Sequence, residues 1–226
     1  MSQHLCSARR SGGYPVAIMA RAAISLNRVK KIYGRSQVLS VPQLDLAVDA
    51  RITLRGSNGS GKSTLLRLIA GIALPTKGTI NRDTAQLGAR LGYVPQAGGL
   101  TEELSVEQNL DQRRHLCGLR ENAKAKEEVL VRAGLMDSRA KRFAELSGGR
   151  QRLAAMAAAL YTEPSWLLID EPFASVDTPR RAEVERLLEE WAPRTRLLVV
   201  TSPESEELPL VGCEIISLKD GHLDVR

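Results

Sequence analysis

Apolar residues change their period several times along the chain, and each change marks an element. Ile24, Leu26 and Val29 open an extended segment, and Val41, Leu44, Leu46 and Val48 form a second, bounded by Pro42 and Asp49. Ile52 and Leu54 make a short strand that runs straight into glycine-rich sequence. Ser63 to Ala70 (STLLRLIA) has helical spacing and stops at Gly71. Another short strand lies at Leu91 to Pro95. Behind Gly149, Leu153, Met156, Ala157 and Leu160 share one helical face, and Pro164 stops that helix. Trp166 to Ile169 and Leu197 to Val200 are unbroken apolar runs, as expected of parallel strands covered on both faces. Thr178-Pro179 supplies a cap and a first-turn proline for a helix turning Val184, Leu187, Leu188 and Trp191 inward. Asp220-Gly221 reads as a turn between two short strands within Ile215 to Val225.

One stretch lacks strand pattern altogether. From about residue 98 to 142 the chain is rich in Arg, Glu, Lys and Ala, with Val106, Leu110, Val129, Leu130 and Ala133 at helical spacing. The pattern therefore predicts an α/β domain over residues 23–226 with a helical insertion at 98–142, preceded by a disordered tail at 1–22. Arg9 and Arg10 precede an apolar run too short for a secretory signal and interrupted by Gly12, Gly13 and Pro15. Ordered patterning begins just after Met19, a candidate alternative start.

Composition narrows the class. The chain has 226 residues, 43% hydrophobic and 26% charged, a balance that excludes intrinsic disorder. Aromatics are only 4%, so aliphatic packing must build the core. The net charge of +6 suits phosphate ligands, an anionic membrane surface or nucleic acid equally. No stretch is long and apolar enough to span a bilayer, so any transmembrane part must come from another polypeptide. Cys6, Cys117 and Cys213 are odd in number and widely spaced, which fits incidental thiols in a reducing compartment.

Three motifs carry chemistry. Gly56 to Thr64 (GSNGSGKST) satisfies G-x-x-x-x-G-K-[ST] between a strand and a helix. Backbone amides of Gly56, Ser57, Asn58, Gly59, Ser60 and Gly61 can wrap phosphates only where side chains do not intrude. Lys62 then reaches the β- and γ-phosphates, the following helix adds its positive end, and Ser63 offers a hard oxygen to Mg²⁺, with Thr64 completing the motif. Asp170 and Glu171 end a buried strand, where ligands of open sheets bind. Asp170 is the expected Mg²⁺ ligand and Glu171 the general base for water. Leu146 to Arg150 (LSGGR) places Ser147, Gly148 and Gly149 at a helix start, which is either an ordinary serine cap or a second anion site. A second anion element with one nucleotide pocket is most simply explained by a pocket on another copy.

In this order, with a lone Gln96 between the two phosphate elements and LLIDEP at Leu167 to Pro172, these motifs resemble the ATP-binding-cassette (ABC) ATPase family from Ile24 onward. The resemblance implies a RecA-like P-loop core with a parallel sheet, an antiparallel β-subdomain and an α-helical subdomain. It implies a head-to-tail dimer holding two ATP, with Ser147, Gly148 and Gly149 contacting the nucleotide in trans. By the same resemblance Tyr33, in KIYGR, stacks on adenine, Gln96 touches Mg²⁺ or the water, and Asp177 lies in the loop crossing the dimer interface. It also implies a separate transmembrane permease docked beside Gln96 and the helical insert, with the chain peripheral at the cytoplasmic face of the membrane. SNGSGKS and DEPF are similar to small bacterial exporter ATPases, among them haem-exporter subunits of cytochrome c maturation.

One position departs from the family. Where its members place a histidine after a threonine beyond the last core strand, this chain has Ser202 and then Pro203. His4, His115 and His222 do not fit that place. Serine is shorter and cannot be cationic, so normal ATP binding with slow hydrolysis is expected. Two other readings compete: a soluble ABC ATPase acting on nucleic acid, or a degenerate regulatory nucleotide-binding module. A single cassette without zinc modules argues against the first, and the retained Lys62, Asp170 and Glu171 argue against the second.

Overall fold

The computed structural model describes residues 22–88, 90–205 and 212–224. Residues 1–21 of the expected tail, with Met19 and Cys6, lie outside them, and Ala22, placed at the tail's end, is instead the first residue of a strand. In chain order the first elements are β1 (Ala22–Tyr33), β2 (Ser36–Ala47), β3 (Ala50–Gly56), α1 (Lys62–Ala70), β4 (Lys77–Arg82), α2 (Thr84–Leu87) and β5 (Leu91–Val94). The helices α3 (Val106–Leu116), α4 (Ala123–Arg132) and α5 (Gly148–Leu160) follow. The chain continues through β6 (Trp166–Ile169), α6 (Thr178–Trp191), β7 (Leu197–Pro203), β8 (Glu214–Lys219) and β9 (His222–Asp224).

Among the described residues the strands form one sheet in the order β4-β1-β2-β9-β8-β3-β7-β6-β5. Strands β8, β3, β7, β6 and β5 run parallel, whereas β1, β2 and β4 pair antiparallel. The two parts meet at a narrow seam, a parallel pairing of Ser40 with His222.

Alternation along β7 divides the core. Leu197 and Val199 join a cluster with Leu65, Leu66 and Ile69 of α1, and Leu198 and Val200 join a second with α3, α5 and α6. Helix α5 is buried on all sides from Arg152 to Leu160, not on the single face its apolar spacing suggests. Its alanines let neighbours approach from every direction.

Three local expectations need correction. Pro42 does not bound the second strand but lies inside β2. The β1–β2 ladder skips the place where Pro42 lies opposite Arg28, whose φ is 49°, so the missing N–H interrupts a pairing already irregular. Helix α6 is capped by Asp177, not Thr178, because the Asp177 carbonyl already accepts the N–H groups of Arg180 and Arg181. Strand β4 carries no strand pattern in the sequence: KGTINR has one apolar residue, Ile80, and among the described residues it pairs with β1 alone, at the sheet edge.

Candidate functional site

The carboxyl ends of β3, β6 and β7 converge on the loop from Gly56 to Gly61. That loop bends sharply, with φ of 82° at Gly59 and 99° at Gly61. A Cβ on Gly61 would lie 3.0 Å from the Val38 carbonyl oxygen, and one on Gly221 2.6 Å from the same atom. A Cβ on Gly56 would lie 2.3 Å from the Leu218 carbonyl oxygen. Glycine is therefore required both for the turn and for its close seat on β2 and β8. Ser57, Asn58 and Gly59 are exposed at the tip, while Ser60 and Lys62 are buried.

Lys62 Nζ donates to the carbonyls of Gly56 (2.8 Å) and Ser57 (3.1 Å) and lies 3.6 Å from Glu171 Oε1. Gln96 Nε2 donates to Glu171 Oε2 at 2.7 Å, so the glutamate is held from both sides. Glu171 itself has φ of 49°, the left-handed region, immediately past the strand.

Asp170 is fully buried. Its Oδ1 accepts from Ser63 Oγ (3.0 Å) and Thr201 Oγ1 (2.7 Å). Its Oδ2 is buried without a hydrogen-bond partner among the described residues, as is Ser60 Oγ. A buried carboxylate oxygen left open beside a serine hydroxyl is the donor set a hard divalent cation requires. Mg²⁺ fits these residues.

Two residues that carry this cluster are not singled out by sequence motifs. Thr201 Oγ1 also accepts the Glu171 N–H at 2.8 Å, so one hydroxyl fixes both carboxylate residues. Arg152 is buried and donates to the backbone carbonyls of Pro95, Asp170 and Pro172. It ties the start of α5 to both the Gln96 segment and the carboxylates. Burial pulls its guanidinium down to about 10, against the opposing charges of Asp170 and Glu171. Alternation on a buried strand and its place just before Ser202 are the sequence signals for Thr201; Arg152 gives none.

Ser202 is buried in β7, opposite Arg55 of β3, with Oγ 3.2 Å from the Pro203 carbonyl oxygen. Alternation carries it to the face opposite Thr201. Tyr33 is half exposed at the end of β1, with Lys31 Nζ 4.8 Å from its ring centre.

The second anion element lies at the start of α5. Ser147 is exposed in an extended conformation and makes no cap hydrogen bond to its own helix, so it is not the ordinary serine cap. A Cβ on Gly148 would lie 3.3 Å from Ser175 Cβ, and one on Gly149 3.7 Å from Asp177 Oδ1. The LSGGR segment and the Ser175–Asp177 loop thus pack as one surface.

A glycine loop at a strand end, a lysine and a buried strand-end carboxylate define a P-loop nucleotide site. A family model described as ABC transporter matches residues 39–174. The sulfate/thiosulfate import ATP-binding protein CysA of Escherichia coli (strain K12) is 34% identical over 215 residues, covering 89% of this chain and 59% of the relative. Its namesake from Bacillus cereus (strain ATCC 10987 / NRS 248) is 34% identical over 215 residues, covering 89% and 60%. The dimeric structure of MJ0796, a bacterial ABC transporter cassette, matches with a TM-score of 0.78 at 27% identity, covering 89% of this chain and 97% of that one. The structure of cbiO1 from Clostridium perfringens has a TM-score of 0.71 at 23% identity, covering 90% and 87%, a likeness of fold alone.

The chain belongs to the ABC transporter family, and its fold is that of the ATP-binding cassette. It spans about 60% of the length of the curated relatives it matches. Those relatives carry import names, unlike the exporters that SNGSGKS and DEPF resemble.

Proposed function

We propose that this chain is the ATP-hydrolysing subunit of an ABC importer, working as one of two cassettes beneath a separate membrane permease. The observation that carries the reading is Asp170, buried, bonded to Ser63 through one oxygen and open at the other. That arrangement is costly unless a cation completes it.

In this reading the amides from Gly56 to Gly61 enclose the phosphates, and Lys62 turns from the loop carbonyls to phosphate oxygens. Ser63, Asp170 and the amide oxygen of Gln96 hold Mg²⁺, and Thr64 closes the motif. When bound, the ion neutralises charge building on the phosphates. Glu171, once Lys62 leaves it, orients water and takes its proton on a carboxylate oxygen. Tyr33 offers its exposed ring to adenine. Ser147, Gly148 and Gly149 meet the nucleotide of the second cassette, with Asp177 in the loop beside them. The free Ser147 hydroxyl supports that trans role. Among the described residues no helix is long and apolar enough to cross a membrane. The family and the ATP-binding names of the relatives support a separate permease and a peripheral position at the cytoplasmic face. The import names of the relatives support uptake as the direction.

Ser202 replaces the family histidine in this reading and slows hydrolysis without weakening ATP binding. Loss of a positioned group at a transferring phosphoryl costs on the order of 10²–10³ in rate. Single-turnover ATP hydrolysis is measured for the native chain, Glu171→Gln and Ser202→His. Glu171→Gln is expected to abolish turnover with ATP still bound, and Ser202→His to accelerate it. Turnover unaffected by Glu171→Gln would overturn the site assignment, and equal rates for Ser202→His would overturn the slowing.

A further inference from the structure

The opposite end of the sheet carries a second basic cavity. Arg90, Ser165 and Arg196 immediately precede β5, β6 and β7, so they lie at the amino ends of the strands whose carboxyl ends hold the nucleotide site. Their backbones are tied together: Ser165 N–H donates to the Arg90 carbonyl (2.9 Å) and Arg196 N–H to the Ser165 carbonyl (2.6 Å). With Trp191, Arg194 and Glu163 they line a pocket of about 300 Å³.

The charge in this pocket is uncompensated. Arg90 spends Nε on the Glu163 carbonyl (2.9 Å) and Arg196 spends Nη1 on the Gln86 carbonyl (2.7 Å), which leaves most of each donor fork unused. Arg194 stacks on the Trp191 ring with its guanidinium carbon 4.8 Å from the ring centre. Among the described residues none of the three guanidinium groups has a carboxylate partner. Glu163, the one acid lining the pocket, is instead 3.3 Å from Arg114. The Trp191 indole N–H is buried without a hydrogen-bond partner among the described residues. Arg194 and Arg196 are exposed and Arg90 is partly so, which leaves their remaining donors open to a ligand from solvent. Arg194 covers the indole face, so a flat base has no platform there, and the groups on offer are N–H donors and positive charge.

We propose that this pocket is a second anion site, separate from the nucleotide loop, that takes a small multiply charged phosphate-type oxyanion. Arginine forks match tetrahedral oxyanions bidentately. A bound anion would join the starts of β5, β6 and β7 and so stabilise the fold by mass action.

The test titrates inorganic pyrophosphate, with orthophosphate and sulfate in parallel, at constant ionic strength, following Trp fluorescence and the melting temperature. Two preparations take the nucleotide loop out of play: the Lys62→Ala chain and the native chain saturated with ADP. A saturable fluorescence change with a raised melting temperature is expected in both. Arg194→Gln, an exposed stacking residue whose loss leaves the backbone ties intact, is expected to weaken pyrophosphate at least about tenfold while ADP affinity stays unchanged. The proposal is overturned if the response disappears in both loop-blocked preparations. It is equally overturned if Arg194→Gln binds as tightly as the native chain, or if sodium chloride alone reproduces the change.

Discussion

Replacing Thr201 by Val alters almost nothing but one hydroxyl, which makes it a clean probe of the carboxylate cluster. Thr201 Oγ1 donates to Asp170 Oδ1 at 2.7 Å and accepts the Glu171 N–H at 2.8 Å, and Thr201 and Asp170 are both fully buried. Valine keeps the outline of the side chain, so no cavity forms. The carboxylate loses a charge-assisted bond, typically about 1.5–3 kcal/mol, and the Glu171 N–H loses its acceptor, about 1–3 kcal/mol. Asp170 keeps Ser63 as a donor, which places the total at the lower end, about 2.5–4 kcal/mol. For a domain of this size that converts to a fall in melting temperature of about 5–16 °C. Calorimetric melting of Thr201→Val and Thr201→Ser without nucleotide is the assay. The serine variant, which keeps the hydroxyl, should recover most of the loss. A decrease below about 1 °C for the valine variant would refute the reasoning, because the hydroxyl would then hold neither partner.

Further outcomes follow from the same geometry. Arg152→Met strands three carbonyls and should cost about 2–4 kcal/mol, with Arg152→Lys restoring less than half because an ammonium cannot reach three divergent acceptors. Since burial lowers the Arg152 guanidinium only to about 10, it is charged at lower pH whether the chain is folded or not. The stability difference should therefore be flat from about pH 6 to 9 in denaturant titrations, and only above the folded value does deprotonation begin to favour the native state. Ser147→Ala should leave melting within about 1 °C, since no cap bond is lost, against the ~1 kcal/mol typical of a used cap. If the cassettes pair as proposed, the same variant should slow ATP turnover roughly tenfold or more, read by steady-state phosphate release; unchanged turnover would detach Ser147 from the nucleotide.

The nucleotide loop is legible in sequence because its demands are local. A strand must end, glycines must turn, and a helix must begin within nine residues, Gly56 to Thr64. The buried strands WLLI and LLVV are legible for the same reason, since burial on both faces removes polar residues from a contiguous run. Strand β4 is not, because an edge strand with Ile80 as its one apolar residue carries no alternation to detect. Pro42 misleads because a proline inside a strand is tolerated only where the partner strand is itself irregular, and Arg28 is distant in sequence. Thr201 and Arg152 escape notice for a related reason. Each acts through contacts with backbone or carboxylates from other elements, which no spacing rule encodes.

Gly61 and Gly221 press against the same carbonyl, that of Val38. The β8–β9 hairpin therefore helps set the height at which the Gly56–Gly61 turn rests, although it shares no motif with it. Evolutionary or engineered drift in that hairpin would emerge as a changed appetite for nucleotide while the Gly56–Thr64 motif itself reads as intact.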